Sequence, residues 1–391
     1  MVMRSSLIAC ASALLASPVL LLAQPIYSAS TYVQAGGAPL VAGGYTLPEW
    51  ADWNGDGLAD VLVGEGGGAL PESKVRLYLN QGAAGAPLFS AWSYVQAAGV
   101  DLVCASSGCM GACPLVLDWN EDGLPDLMVG KADGTAILCL NQGRPGQASL
   151  LAAQPVLVGP AGSQTPLSVG ARATPRWVDW NGDDIPDLLV GALDGKVRVA
   201  LNNGSAGAPL LGTPTMVASA AGGELSVPTG RSCPLAWDED GDGLLDILCG
   251  NTEGQLLWAR NQGSAAQPLF GAWETVLCGG LAFNLTGTLR SRPCLADWDG
   301  DSLPDLLVGY GDGYVRLLQG QVEEPGTLVV ENTVLGPLLS WTAGHPLDRW
   351  GVWRSPPGSL NWQLVAQVEG SSWLDPMAPP TGALYRITRR R

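Results

Sequence analysis

Short apolar runs separated by turn-forming residues cover most of the chain between residues 30 and 320. Residues 61–64 (VLVG) form a continuous apolar run, whereas residues 196–201 (KVRVAL) alternate between polar and apolar side chains. Gly, Pro, Asn and Asp stand between such runs. Both kinds of run are typical of β-strands, and no stretch in this region has a sustained helical period. The pattern therefore predicts an all-β chain.

One nine-residue pattern recurs five times, and each copy is followed by an apolar run. The copies are DWNGDGLAD at residue 52, DWNEDGLPD at 118, DWNGDDIPD at 179, DEDGDGLLD at 238 and DWDGDSLPD at 297. Their spacings are 66, 61, 59 and 59 residues, and a period of this size indicates a repeat architecture. Each period holds four short strands, and four antiparallel strands repeated radially are the blades of a β-propeller.

Strand counting predicts how the ring closes. Residues 30–40 (STYVQAGGAPL) resemble residues 93–103 (SYVQAAGVDLV), which form the fourth strand and following turn of the first repeat. The fifth repeat has only three strands, so we expect the N-terminal strand to complete it. The prediction is a five-bladed β-propeller of four-stranded blades closed by an N-terminal strand. Two alternatives stay open: residues 327–331 supply the missing strand, or the repeats form a linear solenoid.

Positions 1, 3, 5 and 9 of every copy are Asp or Asn, and the carbonyl of position 7 can join them. Converging hard oxygen atoms suit Ca²⁺, whereas zinc prefers Cys and His, which are absent here. Position 12 of the first copy is Val63 rather than the Glu of an EF-hand loop, so position 9 would supply the closing carboxylate. The alternative is that these residues only form Asx turns. The predicted ligands of about five structural Ca²⁺ ions are Asp52, Asn54, Asp56, Leu58 and Asp60; Asp118, Asn120, Asp122, Leu124 and Asp126; Asp179, Asn181, Asp183, Ile185 and Asp187; Asp238, Asp240, Asp242, Leu244 and Asp246; and Asp297, Asp299, Asp301, Leu303 and Asp305.

Position 6 of each loop needs a sharp turn with positive φ. The first, second and fourth copies have Gly there, whereas Asp184 and Ser302 would be strained by roughly 1 kcal/mol. We therefore expect the third and fifth loops to bind Ca²⁺ more weakly than the fourth. In the fifth loop, its four carboxylates would offset part of this loss of affinity.

The repeat resembles the FG-GAP or VCBS family of calcium-binding propellers, as in integrin α-chain heads. The resemblance covers roughly residues 30–320 and implies that the calcium loops join the first two strands of each blade on the lower face. It also implies that positions 1, 3, 5 and 9 are the ligands. Members of that family often have seven blades, whereas this chain has room for five, which leaves the pore size and the partner type open.

The N-terminus and the cysteine count predict a location outside the cytoplasm. The formal net charge is −16, which argues against nucleic acid as a partner. Residues 1–23 have the pattern of a signal peptide, with a lipoprotein box at Cys10 or an uncleaved anchor as alternatives. No other segment is apolar enough to span a membrane, so the prediction is a secreted or cell-surface protein. Eight cysteines follow residue 23, which suggests disulfide bonds, and Cys233 with Cys249 is one candidate cross-strand pair.

The predicted domains are the propeller over residues 24–326 and a C-terminal module over residues 333–391. In the tail, residues 339–341, 350–354, 362–366 and 384–387 have the pattern of alternating strands. With a Trp on an early strand and a late Tyr, the tail resembles a fibronectin type III-like module, although it lacks the final strand.

The sequence favours a binding protein over an enzyme. The only histidine is His345 in the tail, so histidine-based nucleophile pairs are absent from the repeats. We therefore expect no catalytic residues, and we expect an extracellular binding or adhesion scaffold for a protein or glycan ligand. Its ligand would bind opposite the calcium loops, on residues 97–113, 159–175, 222–232 and 279–293. The alternative is a calcium-dependent polysaccharide-acting enzyme such as a lyase, for which these loops show no cluster of Lys, Arg, Tyr or His. The only nearby candidates are Arg172, Arg176, Arg231, Arg290 and Arg292.

Overall fold

A computed structural model describes residues 26–67, 70–105, 108, 110–239, 242–284, 290–321, 328–333, 336–341, 349–355, 363–369, 372–374, 377 and 384–390. The chain divides into two compact units, Gln24–Val322 and a second unit that includes Glu323–Arg391. The predicted signal segment 1–23, Asp240 and His345 lie outside the described residues.

The propeller unit, 24–322, is built from short strands. Its described strands are β1 (Ile26–Tyr27), β2 (Thr31–Tyr32), β3 (Gln34–Ala35), β4 (Ala38–Pro39), β5 (Leu47–Ala51), β6 (Asp60–Gly67), β7 (Leu70–Tyr78), β8 (Ser93–Tyr94), β9 (Gln96–Ala97), β10 (Val100–Asp101), β11 (Cys104–Ala105), β12 (Cys113–Leu117), β13 (Asp126–Gly130), β14 (Ala136–Cys139), β15 (Gln154–Pro155), β16 (Leu157–Val158), β17 (Thr165–Pro166), β18 (Thr174–Val178), β19 (Asp187–Gly191), β20 (Val197–Ala200), β21 (Thr215–Met216), β22 (Cys233–Trp237), β23 (Asp246–Gly250), β24 (Leu256–Ala259), β25 (Glu274–Thr275), β26 (Leu277–Cys278), β27 (Leu281–Ala282), β28 (Arg292–Ala296), β29 (Asp305–Gly309) and β30 (Val315–Leu318). The described residues contain no α-helix, so the predicted all-β class is confirmed.

The prediction of five blades is wrong, because the propeller has six. The described propeller unit has six sheets of three or more strands, and by that count it is six-bladed. Five sheets carry one Asp-rich repeat each, in the orders β5–β6–β7 with β8 and β11, β12–β13–β14–β15, β18–β19–β20–β21, β22–β23–β24–β25 and β28–β29–β30–β2. The sixth is a smaller sheet in the order β1–β26–β27.

The miscount has a physical cause in the N-terminal segment, which supplies two strands where strand counting allowed one. Strand β2 pairs antiparallel with β30 and is the outer strand of the fifth repeat's sheet. Strand β1, directly before it, pairs in parallel with β26 and so forms the further sheet. A two-residue strand is too short to show an alternating pattern, so the sequence did not reveal β1. The alternative donor, β31 (Leu328–Thr333), pairs instead with its own neighbour β32 in the second unit.

Each repeat folds as a hairpin whose register is the same in all five copies. The last residue of the first strand pairs with the position-9 Asp, as in Ala51 with Asp60 and Val178 with Asp187. The second strand is buried along its whole length, as in β13 and β19, because neighbouring sheets cover both of its faces. That burial accounts for the continuous apolar runs in the sequence, since only a half-exposed strand needs alternation.

The Gly that ends each apolar run is required where consecutive sheets meet. A Cβ at Gly191 would overlap the carbonyl oxygen of Ser232 in the next sheet, and a Cβ at Gly309 would overlap that of Thr46 in the first sheet. The Gly309 contact joins the last repeat to the first. The first strands β5, β12, β18, β22 and β28 also contact one another in sequence around a central channel, with β28 returning to β5. The repeats therefore close into a ring, and the linear solenoid is wrong.

The tryptophans at position 2 of the loops lie in apolar clusters between neighbouring sheets. Trp53 is buried with Leu127 and Val129 of the next sheet. Trp180 is buried with Ile247 and Cys249 in the same way. Trp53 and Trp180 therefore stabilise the packing of consecutive repeats and are not available as a stacking surface for ligands.

The second unit is described through two three-stranded antiparallel sheets. They have the orders β31–β32–β35 and β34–β33–β36, where β32 is Gly336–Trp341, β33 is Arg349–Ser355, β34 is Gln363–Glu369, β35 is Ser372–Leu374 and β36 is Leu384–Arg390. Strands are present at all four stretches for which the sequence predicted them. The fibronectin type III-like assignment stays a prediction.

Candidate functional sites on the aspartate loops and in the channel

The aspartate loops lie between the first two strands of each repeat and are stabilised by their own side chains. In the first loop, Asp52 Oδ1 accepts a hydrogen bond from the backbone N–H of Gly55 (2.7 Å), and Asp52 Oδ2 accepts one from Gly57 (2.8 Å). Asp56 Oδ1 accepts one from the backbone N–H of Leu58 (2.8 Å). The bond from position 7 to position 5 recurs in all five loops. The Asx-turn interpretation therefore accounts for part of the pattern.

The position-9 carboxylate is buried and connects the loop to the third strand's end. Asp60 Oδ2 accepts a hydrogen bond from the backbone of Trp53 (3.1 Å), and Asp60 Oδ1 accepts one from Asn80 (2.7 Å). Asp126 and Asp187 make the equivalent pairs of bonds. The recurring Asn is explained by its side chain: Asn80 Nδ2 donates to the carbonyl of Ala59 (3.1 Å), and Asn80 Oδ1 accepts from the backbone N–H of Gly82 (2.9 Å). A carboxylate has about four lone-pair sites, so two such bonds leave capacity for a cation.

Burial and the crowding of negative charges shift the pKa values of the position-9 carboxylates. Burial, followed by the neighbouring loop carboxylates, raises the pKa of Asp60, Asp187 and Asp305 to about 6 each, against the opposing backbone hydrogen bonds. A desolvated group of like charges is the environment that a bound cation would relieve.

Two observations test whether the loop residues fit a calcium ion. In the fifth loop, one carboxylate oxygen each from Asp297, Asp299 and Asp305 lies within 4.8 Å of the others. In the second loop, the buried Oδ1 of Asn120 has no hydrogen-bond partner within the part of the chain that the structure describes. The donors are hard oxygens, as Ca²⁺ requires, so the residues fit the ion. The other predicted ligands lie in the same loops, except Asp240, which is outside the described residues.

Some of the loops have a non-glycine residue with a left-handed backbone conformation, and these loops are the strained ones. The φ angles of Asp184 and Ser302 at position 6 are 65° and 67°, as the sequence predicted. Position 4 is also left-handed, where Gly55 has φ of 73° and Glu121 in the second loop has φ of 55°. Sequence reasoning missed position 4. Its signal was the Gly that stands at position 4 in four of the five copies.

The predicted disulfide between Cys233 and Cys249 is not formed. Cys233 pairs with Gly250, whereas Cys249 pairs with Pro234, so the two side chains point to opposite faces of the sheet. All seven cysteines in the described part of the chain are free, and Cys109 lies outside it.

The structure brings together arginines that the sequence left scattered. Arg172, Arg231, Arg290 and Arg292 line one pocket at the end of the channel opposite the aspartate loops. Deeper in the channel, Arg176 Nη1 lies 3.9 Å from Glu49 Oε2, and both residues are buried. The expectation that these loops hold no basic cluster is therefore wrong. The sequence did contain a signal for this cluster: Arg172, Arg231 and Arg290 each stand three residues before the Pro of a first strand.

One comparison with known proteins, a match to a family model, agrees with the repeat. A family model described as an FG-GAP-like repeat matches residues 52–129 and 238–308. No curated protein gives a significant match. Among solved structures, the Tc holotoxin pore of Photorhabdus luminescens matches at 14% identity and a TM-score of 0.38, over 85% of this chain and 16% of that chain. The present chain thus spans a small part of that protein's length.

Fold and loops together define a class, a β-propeller built from aspartate-loop hairpins. The propeller carries FG-GAP-like repeats in residues 52–129 and 238–308. This fold indicates a binding or scaffold role. Among the described residues, no helix has the length and apolarity needed to cross a membrane.

Proposed function

We propose that this protein is a secreted or cell-surface, calcium-binding scaffold that binds an extracellular protein or glycan. The observation that carries the proposal is the fifth loop, where Asp297, Asp299 and Asp305 offer oxygens within 4.8 Å of one another. The calcium is structural, because the loops join strands within each repeat. The ligand then binds at the opposite end of the ring, where the loops between consecutive repeats lie.

Calcium binding is tested by chelation and calorimetry on the full chain. An ion that binds only the folded state adds about 2.7 kcal/mol of stability at a free concentration of 100 times its Kd. We expect EDTA to lower the melting temperature sharply and added Ca²⁺ to restore it. An unchanged melting temperature in EDTA would overturn the calcium assignment.

A matched pair of variants locates the ions. Asp299→Asn removes a predicted ligand of the fifth loop, and Glu253→Gln removes one exposed carboxylate outside the loops. We expect Asp299→Asn to lose one tightly bound ion by calorimetry and Glu253→Gln to lose none. The binding role is tested with glycan and protein arrays, with and without calcium, and secretion by assaying the culture medium of expressing cells. A chain retained inside the cells would contradict the location.

One observation favours the second candidate function, a calcium-dependent polysaccharide lyase. The Nη1 of Arg290 donates a hydrogen bond to the Tyr45 hydroxyl (2.8 Å), beside the pocket that four arginines line. A lyase needs a base and groups that stabilise developing negative charge in one cleft. Unsaturated product from acidic polysaccharides, lost in Tyr45→Phe, would replace the scaffold proposal. The absence of product would leave binding as the function.

A further inference from the structure

The channel mouth is lined by positive charge, although the whole chain carries a net charge of −16. The pocket there is bounded by Arg172, Arg231, Arg290 and Arg292 together with polar residues, and no carboxylate is among its described lining residues. Its volume is about 20 Å³, which is room for a water-sized group.

Three of the arginines occupy equivalent positions in successive repeats, 59 residues apart. Each has a left-handed backbone, with φ of 62° at Arg172, 61° at Arg231 and 76° at Arg290. This conformation is uncommon for a long side chain, and such outliers cluster at functional sites. The equivalent positions in the first two repeats are Tyr45 and Gly111. The five equivalent positions around the ring therefore present three guanidinium groups and one phenol, and the glycine presents no side chain.

The protein holds these arginine backbones in place. The backbone N–H groups of Arg172, Arg231 and Arg290 donate to the carbonyls of Ala132, Leu193 and Thr252, at 3.0–3.1 Å. These three acceptors are themselves equivalent turn residues of the preceding repeat. The backbone at these three positions is thus held by the repeat scaffold.

Two guanidinium groups at the channel mouth contact the same aromatic ring, that of Tyr45. The Cζ atoms of Arg290 and Arg292 lie 4.8 Å and 5.4 Å from the centroid of the Tyr45 ring. The Nε of Arg290 is buried and has no hydrogen-bond partner among the described atoms. Two like charges on one ring repel each other, and an anion between them would relieve that repulsion.

The acidic loops do not cancel this charge. They lie at the opposite end of the first strands, and a five-residue strand such as β18 spans roughly 16 Å. That distance is about two Debye lengths at physiological ionic strength, so solvent screens most of the opposing field.

We propose that the channel mouth is a binding site for an oxyanion group, namely a carboxylate, sulfate or phosphate, held by Arg172, Arg231 and Arg290. Arginine forks match the geometry of such groups, and one anion oxygen fits the volume of the pocket. The site is separate from the calcium loops and stands whether or not they bind an ion.

The first test is calorimetry with inorganic sulfate on the full chain at physiological ionic strength, where the acidic loops are screened. Arg231→Gln should weaken binding by about tenfold, and Arg231→Lys, which keeps the charge but loses the fork, should weaken it less. The matched control is Arg144→Gln, which removes one exposed arginine in the loop after β14 and should leave binding unchanged. Equal affinities for the Arg231 and Arg144 variants would overturn the proposal, as would undetectable sulfate binding by the unmodified chain.

A second measurement needs no variant and so does not depend on variants that fold. Phenylglyoxal modification followed by mass mapping should show sulfate protecting Arg172, Arg231 and Arg290 while Arg144 reacts unchanged. Uniform protection, or none, would contradict the site. A uronate oligosaccharide distinguishes the source of the anion: competition with sulfate assigns the site to acidic sugars, and binding without competition places the sugar elsewhere and counts against the mouth as its site.

Discussion

Glu49 and Arg176 form a buried ion pair in the channel, so replacing either residue alone should destabilise the propeller. Glu49 lies on β5 and Arg176 on β18, two repeats apart, so their contact crosses the channel. Glu49 is 7% exposed and Arg176 is 9% exposed. At 3.9 Å and an effective dielectric constant of about 20, their attraction is about 4 kcal/mol.

Removing one partner should lower the free energy of unfolding by more than the intact ion pair contributes to it. Arg176→Met would leave the Glu49 carboxylate buried without its counter-charge, and breaking such a pair typically costs about 3–5 kcal/mol. The double variant Glu49→Gln/Arg176→Met should recover a substantial part of that loss, because no buried charge remains. Urea denaturation in saturating calcium, followed by tryptophan fluorescence, measures all of these free energies of unfolding.

The pH dependence separates lost charge from lost packing. Burial already raises the pKa of Glu49, with Arg176 opposing the shift. A raised carboxyl pKa means that the folded state binds more protons than the unfolded state, so stability falls as pH rises through that window. Without Arg176 the pKa of Glu49 should rise further, and the deficit of Arg176→Met should therefore be larger at pH 7 than at pH 5.

The matched control is Arg198→Met, which removes an arginine paired with the exposed Asp194 and should cost less than about 1 kcal/mol. A loss below about 1 kcal/mol for Arg176→Met, or a deficit that is identical at pH 5 and pH 7, would refute the reasoning about the channel pair.

Three further predictions concern packing, loop strain and cysteine chemistry. Gly191→Ala should cost more than about 2 kcal/mol, because its Cβ would overlap the Ser232 carbonyl, whereas Gly222→Ala enters open space and should cost about 1 kcal/mol of backbone strain; equal losses in thermal unfolding would contradict this. Ser302→Gly should raise the free energy of unfolding by about 1 kcal/mol by relieving a φ of 67°, and a destabilised variant would count against strain at position 6. Burial raises the pKa of the Cys113 thiol to about 12 and that of Cys139 to about 11, so both should resist a thiol reagent at pH 8 until the chain unfolds, and rapid labelling of the native protein would disprove it.

Several features of the fold could be predicted because they depend on residues close together in the chain. The hairpin register is one, since Ala51 and Asp60 are separated by a single loop whose Asp side chains bind its own backbone. The left-handed conformation of Asp184 and Ser302 is another, because the turn fixes φ locally.

Other features were mispredicted because they depend on distant partners. Strand β1 has two residues and no pattern of its own, and only β26, some 250 residues later, makes it a strand. Cys233 and Cys249 are close in sequence, but a one-residue offset in register places them on opposite faces of the sheet.

The oxygen-rich loops could be recognised from the amino-acid sequence alone, because each is set within nine consecutive residues, and their recurrence revealed the repeats. The sheet count, the Glu49–Arg176 contact and the arginine-lined mouth emerged only in the folded chain. These features need residues from different repeats to meet at one axis, and closure of the ring is what brings Arg172, Arg231 and Arg290 together across intervals of 59 residues.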